Sequence, residues 1–320
     1  MATWIGIDVG KHELVCAESA HLTAWTVANT PAGWDELTTR LTTLEPAGVV
    51  LEATGTVYVG IYVHLTAAGI ACTVLNPAWS HAFAGSTGRL KKTDRTDAHM
   101  LARYGVEKHP APTPLKSAQQ QRLTALIRRR GQLVKLAVME QNRRSSALPD
   151  DPVASIDAVL ACVQDQITQL EAEMAALIAS DACLQARAQQ LRSMPGIGPV
   201  VSTWLLGCLP ELGTLDRRAI AALAGVAPHP RESGRRTGYR AIQGGRPEIR
   251  RMLYMAAQTA VHHAPYFQAY FAAYMRRPGK EYKMGIIATA HKMLTILSAM
   301  VRDGLLWEDT RAAHTAADPC

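Results

Sequence analysis

Residues 3–10, TWIGIDVG, alternate Ile5, Ile7 and Val9 with Gly6 and Asp8, a period of two that belongs to a β-strand. One face of this strand is wholly apolar. The other carries a carboxylate in a run that otherwise asks to be buried, and burying a charged group without a partner is costly. Such a strand fits only where its acid reaches water, a salt bridge or a cation. KHELVCAES and LTAWTVAN follow at hairpin spacing, so the three runs predict an antiparallel meander. TPAGWDELTTRLTTL predicts a helix capped by Asn29 or Thr30, both of which suit that position. GVVLEATG predicts a short buried strand ending at Glu52, VYVGIYVHLTAAG a helix closed by Gly69, and IACTVLNP another strand. Strand, helix, strand, helix is an α/β order.

A second acidic feature follows in KKTDRTDA, residues 91–98. Asp94 and Asp97 fall three apart on one face of the predicted helix TDRTDAHMLARYG, with Thr93 as its cap and Leu101 and Tyr104 on another face. Acids suit a helix N-terminus, and a salt bridge or a solvated strand end accounts for Asp8 or Glu52 taken singly. Four carboxylates at element edges raise a second reading. Clustered carboxylates repel, and Mg²⁺ takes hard oxygen ligands while leaving positions for phosphate oxygens. Lys91, Lys92 and Arg95 flank the pair and suit a polyanion.

The order strand-Asp, strand-Glu, D-x-x-D resembles the RuvC-like branch of the ribonuclease H fold. IGIDVGKHELVCA, VVLEATG and LKKTDRTDAHMLARYG resemble the DEDD transposases of bacterial insertion sequences, specifically insertion-sequence family one hundred and ten. That family includes recombinases guided by a structured bridge RNA. The third motif is the most specific, because a strand such as IGIDVG also opens actin-like sugar kinases and ATPases.

Residues 115–148 hold no Pro, and Leu123, Ile127, Val134 and Val138 recur at helical spacing. After the break at Pro149, Ile156, Leu160, Val163, Ile167, Leu170, Met174 and Leu177 step alternately by four and three. This heptad seam predicts a coiled coil, formed either with the preceding helix or with another subunit.

Charge separates the rest. Residues 191–295 carry 15 Lys and Arg against 5 Asp and Glu, a local surplus of +10 in a chain of net +7. A block like that is either a solvated basic face or a nucleic-acid contact. Within it, LRSMPGIGPVVSTWLLGCLPELGTL resembles a helix-hairpin-helix. Gly196 and Gly198 would open a helix whose first amides hold a backbone phosphate, although taken alone the motif is an ordinary turn. Residues 223–257 follow, with an exposed loop signalled by Pro228, Pro230 and several glycines. Ser233 sits there among Arg235, Arg236 and Arg240, before Gly244-Gly245 and a helix bearing Arg246, Arg250 and Arg251. Guanidinium groups bind a phosphodiester bidentately and stabilise charge in its transition state. The segment resembles the family's C-terminal transposase domain, where the matching serine forms a covalent phosphoserine link to DNA. GKEYKMGIIATAHKML resembles the Lys-rich helix that follows it, which implies backbone contacts through Lys280, Lys283 and Lys292. The aromatic stripe Tyr266, Phe267, Tyr270 and Phe271 has the spacing of a core, with base stacking as its other reading.

The fold expected is α/β plus α. It comprises a RuvC-like ribonuclease H domain over 1–115, a helical coiled-coil arm over 116–190, a basic and mostly helical transposase domain over 191–310 with the helix-hairpin-helix-like segment, and a flexible tail over 311–320. The resemblance implies a DNA transposase or recombinase of an insertion sequence, with Asp8, Glu52, Asp94 and Asp97 holding Mg²⁺ (or Mn²⁺) and Ser233 as nucleophile. Implied partners are double-stranded donor and target DNA, a bridge RNA, and further copies of the chain in a dimer or tetramer. A RuvC-like junction nuclease would use the same acids with water and no serine. An actin-like ATPase would need a second glycine-rich phosphate loop, which the sequence lacks, and a non-catalytic binder would need none of the acids. The six cysteines form no C-x-x-C pair, so zinc and disulfide frameworks are not expected. No stretch reaches roughly 18 uninterrupted apolar residues, and MATWIGIDVG lacks a signal-peptide pattern. A cytoplasmic, nucleoid-associated bacterial protein is expected.

Overall fold

A computed structural model describes residues 2–21, 23–53, 55–86, 93–115, 117–230 and 240–310. The chain divides into two compact units, 1–115 and 116–320. The first contains a five-stranded sheet in the order β3-β2-β1-β4-β5. Strands β1 (Trp4–Val9), β2 (Glu13–Glu18) and β3 (Ala24–Ala28) form the antiparallel meander, while β4 (Gly48–Glu52) and β5 (Cys72–Leu75) run parallel to β1. The period-two pattern of β1 decides which helices cover which face. Ile5 and Ile7, with Val49 and Leu51, pack on Leu37 and Leu41 of α1 (Pro31–Leu44) and on Ile61 and Leu65 of α2 (Tyr58–Ala67). Trp4, Val50 and Leu75 face the opposite way, onto Phe83 of α3 (Pro77–Ser86) and Met100 and Leu101 of α4 (Asp94–Lys108). Thr30 caps α1 by accepting from the Gly33 amide, one of the two caps expected.

Gly6 is where α4 meets the sheet. A Cβ there would lie 2.0 Å from the Ala98 carbonyl oxygen and 2.4 Å from the Ala102 nitrogen. Further along, a Cβ at Gly105 would fall 2.5 Å from the Trp4 ring. Trp4 thus pairs with Gly105, and Gly6 with Ala98 and Ala102, so α4 runs antiparallel to β1.

The second unit is helical among the described residues, apart from the short ribbon of β6 (Pro228–Pro230) and β7 (Arg240–Ile242). α5 (Ala118–Ser145) and α6 (Val153–Ser180) are 28 residues each and pack together as a hairpin. Val163 and Ile167 of the seam bury against Leu133, so the seam has its partner within the chain. Arg122–Glu173 at 2.5 Å and Arg130–Glu171 at 2.6 Å cross between the two helices. One position departs from the heptad seam of α6 and one from the apolar spacing expected of α5. Ile178 rather than Leu177 is buried, and Val138 is 54% exposed. A straight helix at 3.6 residues per turn drifts away from a strict 3.5 repeat, which carries the apolar stripe from Met174 to Ile178.

The main core of this unit gathers α7 (Ala182–Arg192), α8 (Pro199–Cys208), α9 (Arg217–Ala224), α10 (Pro247–His263), α11 (Pro265–Met275) and α12 (Tyr282–Asp303). By length and composition α12 is apolar enough to cross a membrane, yet Ile286, Ala290, Met293, Leu294 and Leu297 are fully buried within this core. Phe267 is buried and stacks on Trp307 at 5.3 Å, so the inner edge of the aromatic stripe is core, as its spacing indicated.

Gly6→Ala must push α4 off β1 and is expected to cost about 1–3 kcal/mol, the usual range for overpacking, measured as a lower urea midpoint. Cys16 and Cys72 are buried, and burial raises both thiols to about 12. At pH 8 iodoacetamide should therefore modify the exposed Cys162 and Cys183 and spare Cys16 and Cys72 until denaturant is added, as peptide mapping would read.

Candidate active site

Ile7 of β1 lies opposite Leu51 of β4 in the parallel ladder. The next residues in both strands, Asp8 and Glu52, therefore stand side by side on one face, about 4.8 Å apart across the ladder. Both are half-buried and at the carboxyl end of their strands, which in open α/β sheets is where ligands bind. The antiparallel course of α4 brings its first turn to the same end. That turn begins at Thr93, whose hydroxyl accepts from the Thr96 amide, while the Thr96 side chain reaches back in a capping box. Asp94 and Asp97 lie in this turn, with Asp97 half-buried and Asp94 exposed. All four acids thus gather at one end of the sheet. Among the described residues no three His, Cys, Asp or Glu side chains close into a ready-made metal cage. The donors fit a hard divalent ion in chemistry, being oxygen alone.

One residue of this site was not foreseen. Ser80, 1% exposed in α3, places its hydroxyl 2.6 Å from Glu52 Oε2. It also lies 2.9 Å from the Pro77 carbonyl, but a hydroxyl has one proton, and the shorter, charged acceptor is the stronger. Ser80 thereby fixes the orientation of Glu52. The sequence offered a faint signal, N-P-x-x-S just past a strand end, in a stretch without clear periodicity. Its neighbour Trp79 is 62% exposed.

The second candidate centre is anchored in the basic block. β6 and β7 pair Pro228 with Ile242 and Pro230 with Arg240, so the chain enters and leaves residues 231–239 on adjacent strands. Ser233, Arg235 and Arg236 lie outside the described residues, as do Lys91 and Lys92 in the first unit. At the root of the ribbon two arginines of the expected basic face are engaged within the fold. Arg246 binds Glu211 through both terminal nitrogens, at 2.7 and 2.6 Å, and the Cys208 carbonyl at 2.8 Å. Arg250 donates to the carbonyls of Gly225 and Gly244, on either side of the ribbon. These guanidinium groups are occupied by the fold rather than displayed on a free basic face. Arg251 is exposed, as are Arg95, Lys280 and Lys283, while Lys292 is half-buried. Burial and the charges of Arg217 and Lys292 hold His291 below its ordinary value, so it is neutral at pH 7 and adds nothing to the positive field.

The turn at Pro195–Gly198 joins α7 to α8. Gly196 has φ +88°, and a Cβ there would lie 2.4 Å from the Ala256 carbonyl of α10, so packing alone requires glycine at this position. Gly198 caps α8 without a side-chain bond. The turn borders a concavity of about 500 Å³ shared with Arg192, Met255 and Thr259.

Comparison with known proteins matches both halves of the chain. Residues 5–150 fit the IS110-type DEDD family described as "Transposase", and residues 188–272 fit "Transposase IS116/IS110/IS902 family". The pilin gene-inverting protein of Moraxella bovis is 32% identical over 311 residues, spanning 94% of this chain and 96% of its own length. The chain belongs to the IS110/IS116 transposase family. The Moraxella lacunata pilin gene-inverting protein is 31% identical over the same shares. The uncharacterised 43.6 kDa protein of insertion element IS110 from Streptomyces coelicolor is 25% identical over 67% of this chain and 55% of its own. Among solved structures, Thermus-type RuvC ("T. thermophilus RuvC in complex with Holliday junction substrate") overlaps 35% of this chain and 100% of that one, with 15% identity and a TM-score of 0.27. This transposase is accordingly a DNA transposase or recombinase enzyme.

Removing the Ser80 hydroxyl of the transposase leaves Glu52 less well oriented. Ser80→Ala is expected to weaken Mn²⁺ binding about tenfold, a usual effect for groups that orient ligands, with thermal melting in the absence of metal unchanged. Calorimetric titration of both proteins checks this, and equal affinities would reduce Ser80 to a helix-start residue.

Proposed function

We propose that the protein cuts and rejoins DNA through a covalent 5′-phosphoserine intermediate, with Asp8, Glu52, Asp94 and Asp97 holding divalent metal and Ser233 as nucleophile. The observation that carries this reading is the gathering of the four acids at one sheet end, in a chain matched to transposases along both halves. The strand order, an antiparallel meander extended by two parallel strands, supports a ribonuclease H-like reading of the first unit. Mg²⁺, or Mn²⁺, bound by these carboxylates would neutralise phosphate charge at the reacting linkage.

The chain's own groups do the rest. Ser233 Oγ attacks phosphorus and forms the new P–O bond. The P–O3′ bond breaks, and the departing oxygen takes a proton and leaves as a 3′ hydroxyl. That hydroxyl later attacks the phosphoserine linkage of a partner strand, whose serine oxygen takes the proton and leaves as the free side chain. One phosphodiester is spent and one is made, so no ATP is required, and covalent catalysis divides the exchange into two easier steps. Arg235, Arg236, Arg240 and Arg251 would bind the diester, Lys91, Lys92 and Arg95 would draw the strand to the acids, and Gly196, Gly198, Lys280, Lys283 and Lys292 would contact backbone phosphates without reading sequence. Arg246 and Arg250 would instead hold the root of the serine-bearing segment.

The sequence would be read by a bridge RNA that pairs with donor and target duplexes, by analogy with other guided systems. We keep the division into a DEDD domain (1–115), a helical arm (116–190), a basic transposase domain (191–310) and a tail. An arm exposing Val138, Met139 and Val159 suits assembly into a dimer or tetramer whose subunits complete each other's sites. Such an enzyme would act in the cytoplasm on the nucleoid.

Ser233→Ala is expected to abolish the protein–DNA adduct seen on denaturing gels with nicked donor DNA, and Asp8→Asn to lower its yield at least 100-fold (about 10²–10⁴ is typical for catalytic groups). Strand cleavage that persists in Ser233→Ala would favour the water-dependent junction nuclease.

A further inference from the structure

The connector between α11 and α12 concentrates charge and aromatic rings. Arg276, Arg277, Lys280 and Lys283 stand there against the one acid Glu281, and residues 276–283 are all exposed. The Arg277 guanidinium lies 5.6 Å from the centre of the Tyr274 ring and the Lys280 ammonium 5.7 Å from it. Tyr282 is 46% exposed and meets Phe271 edge-on at 5.5 Å. The support beneath is rigid: a Cβ at Gly285 would lie 2.5 Å from the Phe271 ring and 2.9 Å from the Met275 sulfur, so the two helices touch directly under the connector. Gly279, at φ +70°, turns the chain there.

Four cations against one anion repel each other, and two ring contacts do not offset that. A polyanion does. A duplex offers phosphates alone, whereas unpaired nucleotides offer phosphates and aromatic faces together, which matches rings interleaved with cations. We infer that the α11–α12 corner docks unpaired nucleotides, with Tyr274 and Tyr282 stacking bases and Arg276, Arg277, Lys280 and Lys283 neutralising the adjoining phosphates. The assignment rests on the reading that this protein works on nucleic acid, and narrows this surface to single strands. A loop of RNA and a DNA strand opened during exchange carry the same chemistry.

Fluorescence anisotropy with the full chain and labelled oligonucleotides tests this, using single-stranded RNA, single-stranded DNA of matching sequence, and duplex DNA. Tyr274→Ala with Tyr282→Ala should weaken single-strand binding about tenfold or more and leave duplex binding unchanged. Tyr274→Phe with Tyr282→Phe, which keeps both rings, should retain affinity. Lys280→Ala with Lys283→Ala should flatten the salt dependence on single strands by about 1.4 log units per decade. This second pair, on the exposed surface, carries the test if the alanine pair lowers the melting temperature. A greater loss on RNA assigns the surface to an RNA loop, and an equal or greater loss on single-stranded DNA to the opened strand. Equal loss on duplex and single strands, or no loss at all, overturns the inference. If Ser233-dependent adduct formation persists in that case, the recombinase reading stands without it.

Discussion

Helix α4 lies so near β1 that Gly6 has no room for a methyl group, its backbone taking the space that any side chain would fill. That contact fixes both the height and the direction of the helix. Because α4 runs against the strand, its first turn points toward the end of β1 that carries Asp8. Acids from three separate stretches of the sequence are thereby directed toward one end of the sheet. The hydrogen bond from Ser80 to Glu52 then orients one of them from a different helix.

The basic unit follows a different logic. Its surplus of positive charge suggests a surface that is all receptor, but the structure divides the arginines by task. Arg246 and Arg250 lie beneath the ribbon and donate to Glu211 and to the carbonyls of Cys208, Gly225 and Gly244. A buried or half-buried acceptor stripped of its donor costs more than the bond itself contributes, so these two arginines hold a shape. Others, such as Arg251, Arg276 and Arg277, remain at the surface. A count of charges gives the same weight to both kinds.

The same contrast runs through the arm. Its heptad seam was legible because apolar side chains at steps of four and three have one way to leave water together. Where the seam reaches the larger core, the drift of a 3.6-residue helix from a 3.5 repeat has moved the buried position to Ile178. Helix α3 escaped sequence reading altogether. PAWSHAFAGS has neither a clean apolar face nor a charged one, so nothing in its pattern announced the serine it delivers to Glu52.

The strand and helix periods, the cap at Thr93 and the seam of α6 were legible in local sequence, which narrowed the cap of α1 to Asn29 or Thr30, because each depends on residues within one or two turns of chain. The family was legible too, since its motifs are short and contiguous. Only the tertiary structure decided that Asp8 and Glu52 stand in register, that Gly6 admits α4, that Ser80 reaches across to the site, and that Arg246 and Arg250 serve the fold. Those facts join residues from 25 to 96 positions apart, and the free energy that selects such partners comes from packing and desolvation, which a local pattern does not encode.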